Sequence, residues 1–166
     1  LDTLLVETER ISAELELNSD IYEYTYLPAD REELKLYKLQ EIRDSFATST
    51  LNLSRDNISA ALYFKDLDMF LTRNSAYTSR EYYDCFLDRQ QGYEQWHQRL
   101  TSAEDSVFFK SRFAFDEENL ADAVGYHKQI PYSGNEGQKI SLFVTYNMEE
   151  YLSFLHQISF AQESAV

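Results

Sequence analysis

The scarcity of glycine and proline constrains the fold of this chain more than any other feature of its sequence. Its 166 residues include four glycines and two prolines, so few positions favour a sharp turn. A loop-rich β-sandwich needs many such turns, whereas long helices with a modest sheet need few. The 13 tyrosines, 11 phenylalanines and one tryptophan can supply a packed core. We therefore expect one ordered α+β domain.

The first 26 residues carry the apolar spacing of a helix. Leu4, Ile11, Leu15 and Tyr22 follow one another at intervals of seven, four and seven residues, which predicts an amphipathic helix over residues 1–26. This apolar stripe is a candidate surface for a homodimer. It could equally pack on the protein's own sheet, and the two interpretations can hold together.

A second helix is predicted after Pro28, which interrupts the first. Asp30 is placed to cap it, and the helical spacing continues to about residue 53. Its apolar positions are Leu34, Leu39, Ile42 and Phe46. Residues 1–53 are thus predicted to form a long helical segment with one break.

The period of the apolar pattern then changes from that of a helix to that of a strand. Residues 58–64 are typical of a strand, 66–68 of a turn, and 69–72 of the hairpin partner. Residues 78–100 return to helical spacing, which predicts two short helices broken near Gly92.

Three further strands are predicted in the second half of the chain, over residues 107–115, 123–130 and 140–146. The glycine-containing stretch 133–137 is the predicted turn between the last two, and a closing helix begins near residue 148. Together with the hairpin, these strands predict an antiparallel sheet of five strands.

The charge of the chain argues against nucleic acid as a partner. Its formal net charge is −14, from 29 acidic and 15 basic side chains, and the lysines and arginines are not gathered into a stripe. Such a surface repels phosphate backbones. The chain also contains no apolar run of about 18 residues, the length that a membrane helix needs.

The residues that carry most catalytic and metal chemistry do not cluster in the sequence. Cys85 is the single cysteine, so no intramolecular disulfide and no cysteine-based metal site can form. His97, His127 and His156 lack the paired spacing of zinc ligands. Glycine-rich phosphate loops, nucleophile elbows and paired-carboxylate motifs are missing. We therefore expect no catalytic residue, no metal and no cofactor, and a chain that is not an enzyme.

Four stretches, taken in order, resemble a known family of bacterial sensor domains. They are Asn57-Ile58 leading into Leu62-Tyr63-Phe64, Tyr93-x-x-Trp96 with Leu100, Gly125 to Pro131, and Ile140 to Tyr146 with the exit toward Leu152. The family is the Cache domain, the extracellular relative of the PAS fold. It occurs between the two membrane helices of bacterial histidine kinases and AraC-type transmembrane regulators.

The resemblance implies a PAS-like sheet with a long N-terminal helix and flanking helices. Residues 54–166 would be the Cache module and, with residues 1–53, would form one sensor domain of a larger receptor. Flanking segments absent from this chain would attach it to the membrane on the extracytoplasmic side. The N-terminal helix would transmit the binding of a small molecule to a cytoplasmic output.

One departure from the family bears on the ligand. Members that bind amino acids carry an arginine two positions before this tryptophan and a tyrosine just after it, and the arginine grips the ligand carboxylate. Glu94 and His97 stand at those positions here. The resemblance therefore favours a sugar or an organic acid over a free amino acid.

Six residues are candidate ligand contacts. Trp96 and Tyr93 lie on one predicted helix face and could form an aromatic wall, or they could be ordinary core. Arg112 could pair with a ligand carboxylate, or it could be exposed or salt-bridged. Tyr126 lies on a strand that borders the pocket in the family. Further candidates are Tyr77 and Tyr82.

Two other functions remain open from the sequence. One is a non-catalytic interaction or dimerisation module whose helices and acidic surface dock a partner protein. A pocket lined by Trp96, Arg112 and Tyr126 would favour the receptor over this module. The second is a cytoplasmic PAS-type regulator, which flanking hydrophobic segments would exclude.

Overall fold

The described part of the chain forms an α+β fold with one antiparallel sheet. A computed structural model describes residues 2–51, 53, 58–102, 107–115, 120–130 and 140–149. The predicted turn at 133–137 and the predicted domain boundary at residue 54 lie outside these residues, as does most of the predicted closing helix. The α+β class is confirmed.

Three helices make up the N-terminal part of the protein: α1 (Asp2–Glu16), α2 (Ser19–Thr25) and α3 (Glu32–Ser49). The single helix predicted over residues 1–26 is therefore wrong. The chain breaks at Asn18, whose side-chain oxygen accepts hydrogen bonds from the backbone N–H groups of Asp20 and Ile21 at 2.9 and 3.1 Å. This N-cap ends one helix and starts the next.

The break at Asn18 changes which side chains of α2 face the core. Ile11 and Leu15 of α1 are buried as predicted, whereas Tyr22 is half exposed, and Ile21 and Tyr24 are buried instead. A new cap resets the helical phase, so spacing counted across it fails. The side chain of Leu4 lies outside the described part of the structure.

The start of α3 also differs from the prediction. Arg31 rather than Asp30 occupies the N-cap position, and the helix begins at Glu32. Leu39, Ile42 and Phe46 are buried as predicted, but Leu34 is exposed. The buried residue in the first turn of α3 is Lys35 instead.

Within the described residues six strands, one more than predicted, form the sheet in the order β3-β2-β1-β6-β5-β4. They are β1 (Ile58–Phe64), β2 (Met69–Thr72), β3 (Ala76–Thr78), β4 (Val107–Ala114), β5 (Leu120–Gln129) and β6 (Ile140–Asn147). The additional strand β3 pairs with β2, because a short turn closed by the Thr72 N–H and the Ser75 carbonyl, 2.8 Å apart, returns the chain. Three residues are too few to show a strand pattern in a sequence.

Two short helices link the hairpin strands to β4, as predicted. Helix α4 (Ser79–Phe86) begins with a capping box between Thr78 and Glu81. A 3₁₀ turn (Arg89–Gln91) and Gly92, with φ of +76°, separate it from α5 (Tyr93–Ser102). The predicted break near Gly92 is confirmed, since glycine adopts positive φ without a steric penalty.

The two faces of the sheet carry two different cores. Successive residues of a strand point to opposite faces, so Leu62 packs with α1, α2 and α3, whereas Tyr63 packs with α4 and α5. We call the second cluster the aromatic core. Its members are Ala61, Tyr63, Phe70, Tyr82, Leu100, Phe113 and Ala123, with Tyr77, Phe86, Leu87, Trp96, Phe115 and Phe143 packed against them.

Candidate functional site

The aromatic core between the sheet and helices α4 and α5 is the candidate site. Phe70 of β2 lies at its centre, stacked on Tyr82 with 4.0 Å between ring centroids and on Trp96 with 6.0 Å. The ring centroids of Tyr83 and Trp96 are 5.4 Å apart. The capping box at Thr78 fixes where α4 starts and so helps to direct its tyrosines toward the sheet.

Four of the six predicted ligand contacts meet in this region. Tyr93 and Trp96, one turn apart on α5, have ring centroids 6.0 Å apart. Tyr77 and Tyr82 lie 6.4 Å apart at the α4 end. Tyr93 and Trp96 therefore pack side by side, an arrangement that an aromatic wall and ordinary core packing share, and Tyr82 is 5% exposed.

Arg112 and Tyr126 do not join this group. The pairing register places them on the face of the sheet opposite to Trp96. The Tyr126 hydroxyl donates to Glu9 of α1 at 3.3 Å. Arg112 is about half exposed and lies 3.7 Å from each of two carboxylates, those of Asp88 and Asp122. A pocket lined jointly by Trp96, Arg112 and Tyr126 is therefore not formed.

A carboxylate at the edge of the aromatic core gathers several polar side chains. Asp68 accepts hydrogen bonds from the Tyr63 hydroxyl at 2.8 Å, the Ser79 hydroxyl at 2.6 Å and Nε2 of His97 at 2.9 Å. Because an ionised carboxylate can only accept, His97 carries its proton on Nε2 here. The Ser79 oxygen also lies 2.8 Å from the Tyr93 hydroxyl.

The hydrogen bonds around Asp68, which we call the Asp68 network, stabilise its ionised carboxylate. Burial raises the pKa of Asp68, but hydrogen bonds from Ser79, His97 and Tyr63 outweigh burial and hold the pKa below its ordinary value of 3.8. Burial, followed by the hydrogen bond to Asp68, raises the pKa of Tyr63. The tyrosine therefore acts as a neutral hydrogen-bond donor throughout the physiological range.

The network differs from a nucleophilic triad in its connectivity. In a serine triad the imidazole bridges the serine and the carboxylate, so that it can take the serine proton. Here the carboxylate of Asp68 bridges Ser79 and His97. This arrangement orients donors and holds charge, which suits ligand binding or structural support.

Tyr83 presents an unusual hydroxyl group within the same region. Its side chain is 3% exposed, and its oxygen has no hydrogen-bond partner within the described structure. A buried hydroxyl without a partner costs about 1–3 kcal/mol. A bound molecule that accepts a hydrogen bond would remove that cost.

The sequence predicted four aromatic residues of this site, but it did not predict Phe70, Tyr83 or the polar residues Asp68 and Ser79. Asp68 was assigned only to a turn, and Ser79 only to a helix start. His97 follows Trp96 and lies four residues after Tyr93, a spacing that places its ring on that of Tyr93, 5.3 Å away. The sequence signals for His97 are that spacing and its place directly after Trp96, where amino-acid-binding members of the similar family carry a tyrosine.

Comparison of the chain with protein-family models, curated proteins and solved structures finds no match. Among the described residues, no group of three or more histidine, cysteine, aspartate or glutamate side chains could hold a metal ion. The helices that the structure describes include none with the length and apolar character needed to cross a membrane.

Proposed function

We propose that this chain is a Cache-type, PAS-like ligand-sensing domain on the extracytoplasmic face of a bacterial cell membrane. It would belong to a transmembrane receptor, either a histidine kinase or a membrane-bound transcriptional regulator. The order of its elements supports the proposal: a long helical segment, a hairpin, two short helices and three antiparallel strands. The last of these strands lies beside the first strand of the hairpin.

The observation that carries the proposal is the buried hydroxyl of Tyr83. The ring of Tyr83 packs on those of Tyr93 and Trp96, with 5.5 and 5.4 Å between ring centroids, and its hydroxyl has no hydrogen-bond partner within the described residues. A molecule with a ring face for the aromatic side chains and an acceptor for the Tyr83 proton would complete this site.

The charges of the site favour a neutral sugar over an organic acid. The carboxylate of Asp68 adds negative charge, which disfavours a ligand anion. Arg80 lies over the ring of Tyr93 but is paired with Asp84 at 3.2 Å. Arg112, the predicted carboxylate partner, lies on the other face of the sheet. Sugar rings pack on aromatic faces and use their hydroxyls as hydrogen-bond acceptors and donors.

The test is a thermal-shift screen of the purified protein against neutral sugars, organic acids and amino acids. A ligand at a hundredfold its Kd adds about 2.7 kcal/mol to the free energy of unfolding, which raises Tm by roughly 5–10 °C for a domain of this size. We expect that response from a neutral sugar. If no sugar raises Tm, or if organic acids alone raise it, the proposed ligand is wrong.

Tyr83→Phe separates ligand binding from folding. Removing an unsatisfied hydroxyl leaves the free protein as stable as the wild type or more stable, whereas the ligand loses its hydrogen-bond partner. The expected result is an unchanged or raised Tm without ligand and a smaller ligand-induced rise. Tyr37→Phe is the matched control, because Tyr37 is 64% exposed on α3. An equal ligand response in both variants would exclude Tyr83 as a contact.

One observation favours a second function, that of a protein-interaction module. Large apolar side chains are exposed along residues 6–51, among them Val6, Leu17 and Tyr37 at 67%, 88% and 64%. Such side chains are common at docking surfaces. A homodimer through α1 would use exposed positions of this kind, because Ile11 and Leu15 already pack inside the monomer.

A further inference from the structure

The tight turn between β1 and β2 contacts both helical layers of the protein. Its residues 65–68 connect two strands at the end of the hairpin. Asp66 and Asp68, two positions apart, extend their carboxylates to opposite sides. Asp66 contacts the layer of α2 and α3, and Asp68 contacts the layer of α4 and α5.

The contacts of Asp66 are mostly buried. The hydroxyl of Tyr24 on α2 donates to Oδ1 at 2.8 Å, and Nζ of Lys35 on α3 donates to Oδ2 at 2.6 Å. The side chains of Lys35 and Asp66 are 3% and 14% exposed. A buried ammonium left without its counter-charge is strongly unfavourable, so α3 must follow any displacement of Asp66.

Asp68 contacts α4 and α5 through both its side chain and its backbone. Its carboxylate binds Ser79 and His97, and its carbonyl accepts from the backbone N–H of Ser79 at 2.9 Å. The φ of Asp68 is +50°, a left-handed conformation that only a few residue types adopt readily. These bonds hold the turn in that conformation, so loss of one changes the turn itself.

We propose that this turn couples the two helical layers: a shift of α4 and α5 at the aromatic core moves Asp68, and Asp66 carries the displacement through Lys35 and Tyr24 to α2 and α3. The coupling is a property of the folded chain and requires no ligand. Its use as a signal relay rests on the proposed function. The physical basis is a short rigid segment with charged contacts at both ends.

Hydrogen exchange of the purified, ligand-free protein tests the coupling. Ser79→Ala removes a hydroxyl that contacts Asp68 and Tyr93 and leaves α2 and α3 untouched. We expect amide exchange in Ser19–Thr25 and in the first half of α3 to change roughly 2- to 30-fold, the range seen along coupled networks. Loss of this buried hydroxyl lowers the global stability by about 1 kcal/mol, which speeds exchange in β6 (Ile140–Asn147) as well. The coupling is therefore measured as the change in α2 and α3 beyond that in β6.

Arg80→Ala is the matched control. Arg80 neighbours Ser79 on α4 and contacts Asp84 and the Tyr93 ring, but among the described residues no hydrogen bond or ion pair joins it to the turn. The expected change in this variant is confined to α4 and α5. If Ser79→Ala and Arg80→Ala change amide exchange in α2 and α3 equally, the proposal is wrong.

A substitution at Asp66 provides a second test, since coupling between sites is reciprocal. Asp66→Asn weakens the pair with Lys35, and we expect faster exchange in α4 (Ser79–Phe86). If Ser79→Ala changes only α4 and α5 and Asp66→Asn changes only α2 and α3, the turn does not couple the layers. An increase spread equally over β6 would likewise count against it. Neither outcome depends on the ligand screen, so the two proposals can fail separately.

Discussion

Asp68 has a left-handed backbone and an ionised side chain that accepts hydrogen bonds from three donors. Aspartate tolerates positive φ better than most residues, because its short polar side chain bonds locally. The sequence therefore predicts a turn at this point. It cannot predict the partners, because Ser79 and His97 lie 11 and 29 residues away and meet Asp68 only after α4 and α5 have packed.

Replacing Asp68 by asparagine tests the charge of this network while keeping the shape of the side chain and its tolerance of positive φ. The folded-state pKa of Asp68 lies below its unfolded value of 3.8, so its contribution to stability is present above that pH and is lost as the pH falls through the folded value. We expect Asp68→Asn to lower the free energy of unfolding by about 1 kcal/mol at pH 7, a modest figure because the side chain is half exposed.

The comparison is made by urea denaturation at pH 7 and pH 3. The difference in free energy of unfolding between wild type and Asp68→Asn should be smaller at the lower pH, where the wild-type carboxylate begins to be protonated. Asp84→Asn, which removes a carboxylate from an exposed ion pair with Arg80, should differ from wild type by less than about 0.5 kcal/mol. If the loss in free energy of unfolding caused by Asp68→Asn is the same at both pH values, the charge of Asp68 does not stabilise the fold.

Among the secondary-structure elements, apolar spacing predicted most of the buried positions within a continuous helix. In α3 it identified Leu39, Ile42 and Phe46. It failed for Tyr22, because the Asn18 cap shifts the phase, and for Leu34 at the start of α3, where Lys35 turns inward to meet Asp66. Hydrophobic spacing carries no information about a buried ion pair.

Helix α1 provides a direct test of these assignments. Ile11 is fully buried against the sheet, whereas Val6 on the same helix is 67% exposed. Truncating a buried isoleucine removes its transfer free energy and leaves a cavity. We expect Ile11→Ala to lower the free energy of unfolding by about 3 kcal/mol and Val6→Ala by less than about 0.5 kcal/mol. Chemical denaturation measures both, and similar losses would mean that α1 does not dock on the sheet through Ile11.

At the scale of the whole molecule, the sheet separates two layers of helices that the sequence could not assign to faces. Strand alternation shows that Tyr126 and His127 point to opposite sides, but not which helices cover each side. In the structure Tyr126 meets α1 and His127 stacks on Phe143 of the aromatic core, 4.6 Å away. The predicted site is consequently split: its residues from β3, α4 and α5 lie together, whereas Arg112 of β4 and Tyr126 of β5 face the other layer.

Because both cores share one sheet, the two layers should unfold together. Trp96, the single tryptophan, reports on the aromatic core. Among the described helices, α1, α2 and α3 contribute most of the far-UV circular dichroism, because they have 15, 7 and 18 residues against 8 and 10 in α4 and α5. We expect tryptophan fluorescence and circular dichroism to give one coincident transition in urea, which is the mark of a single cooperative domain. Phe70→Ala should move both curves equally to lower urea. A fluorescence transition that comes first, with most of the helix signal retained, would mean that the layer of α4 and α5 unfolds as a separate unit.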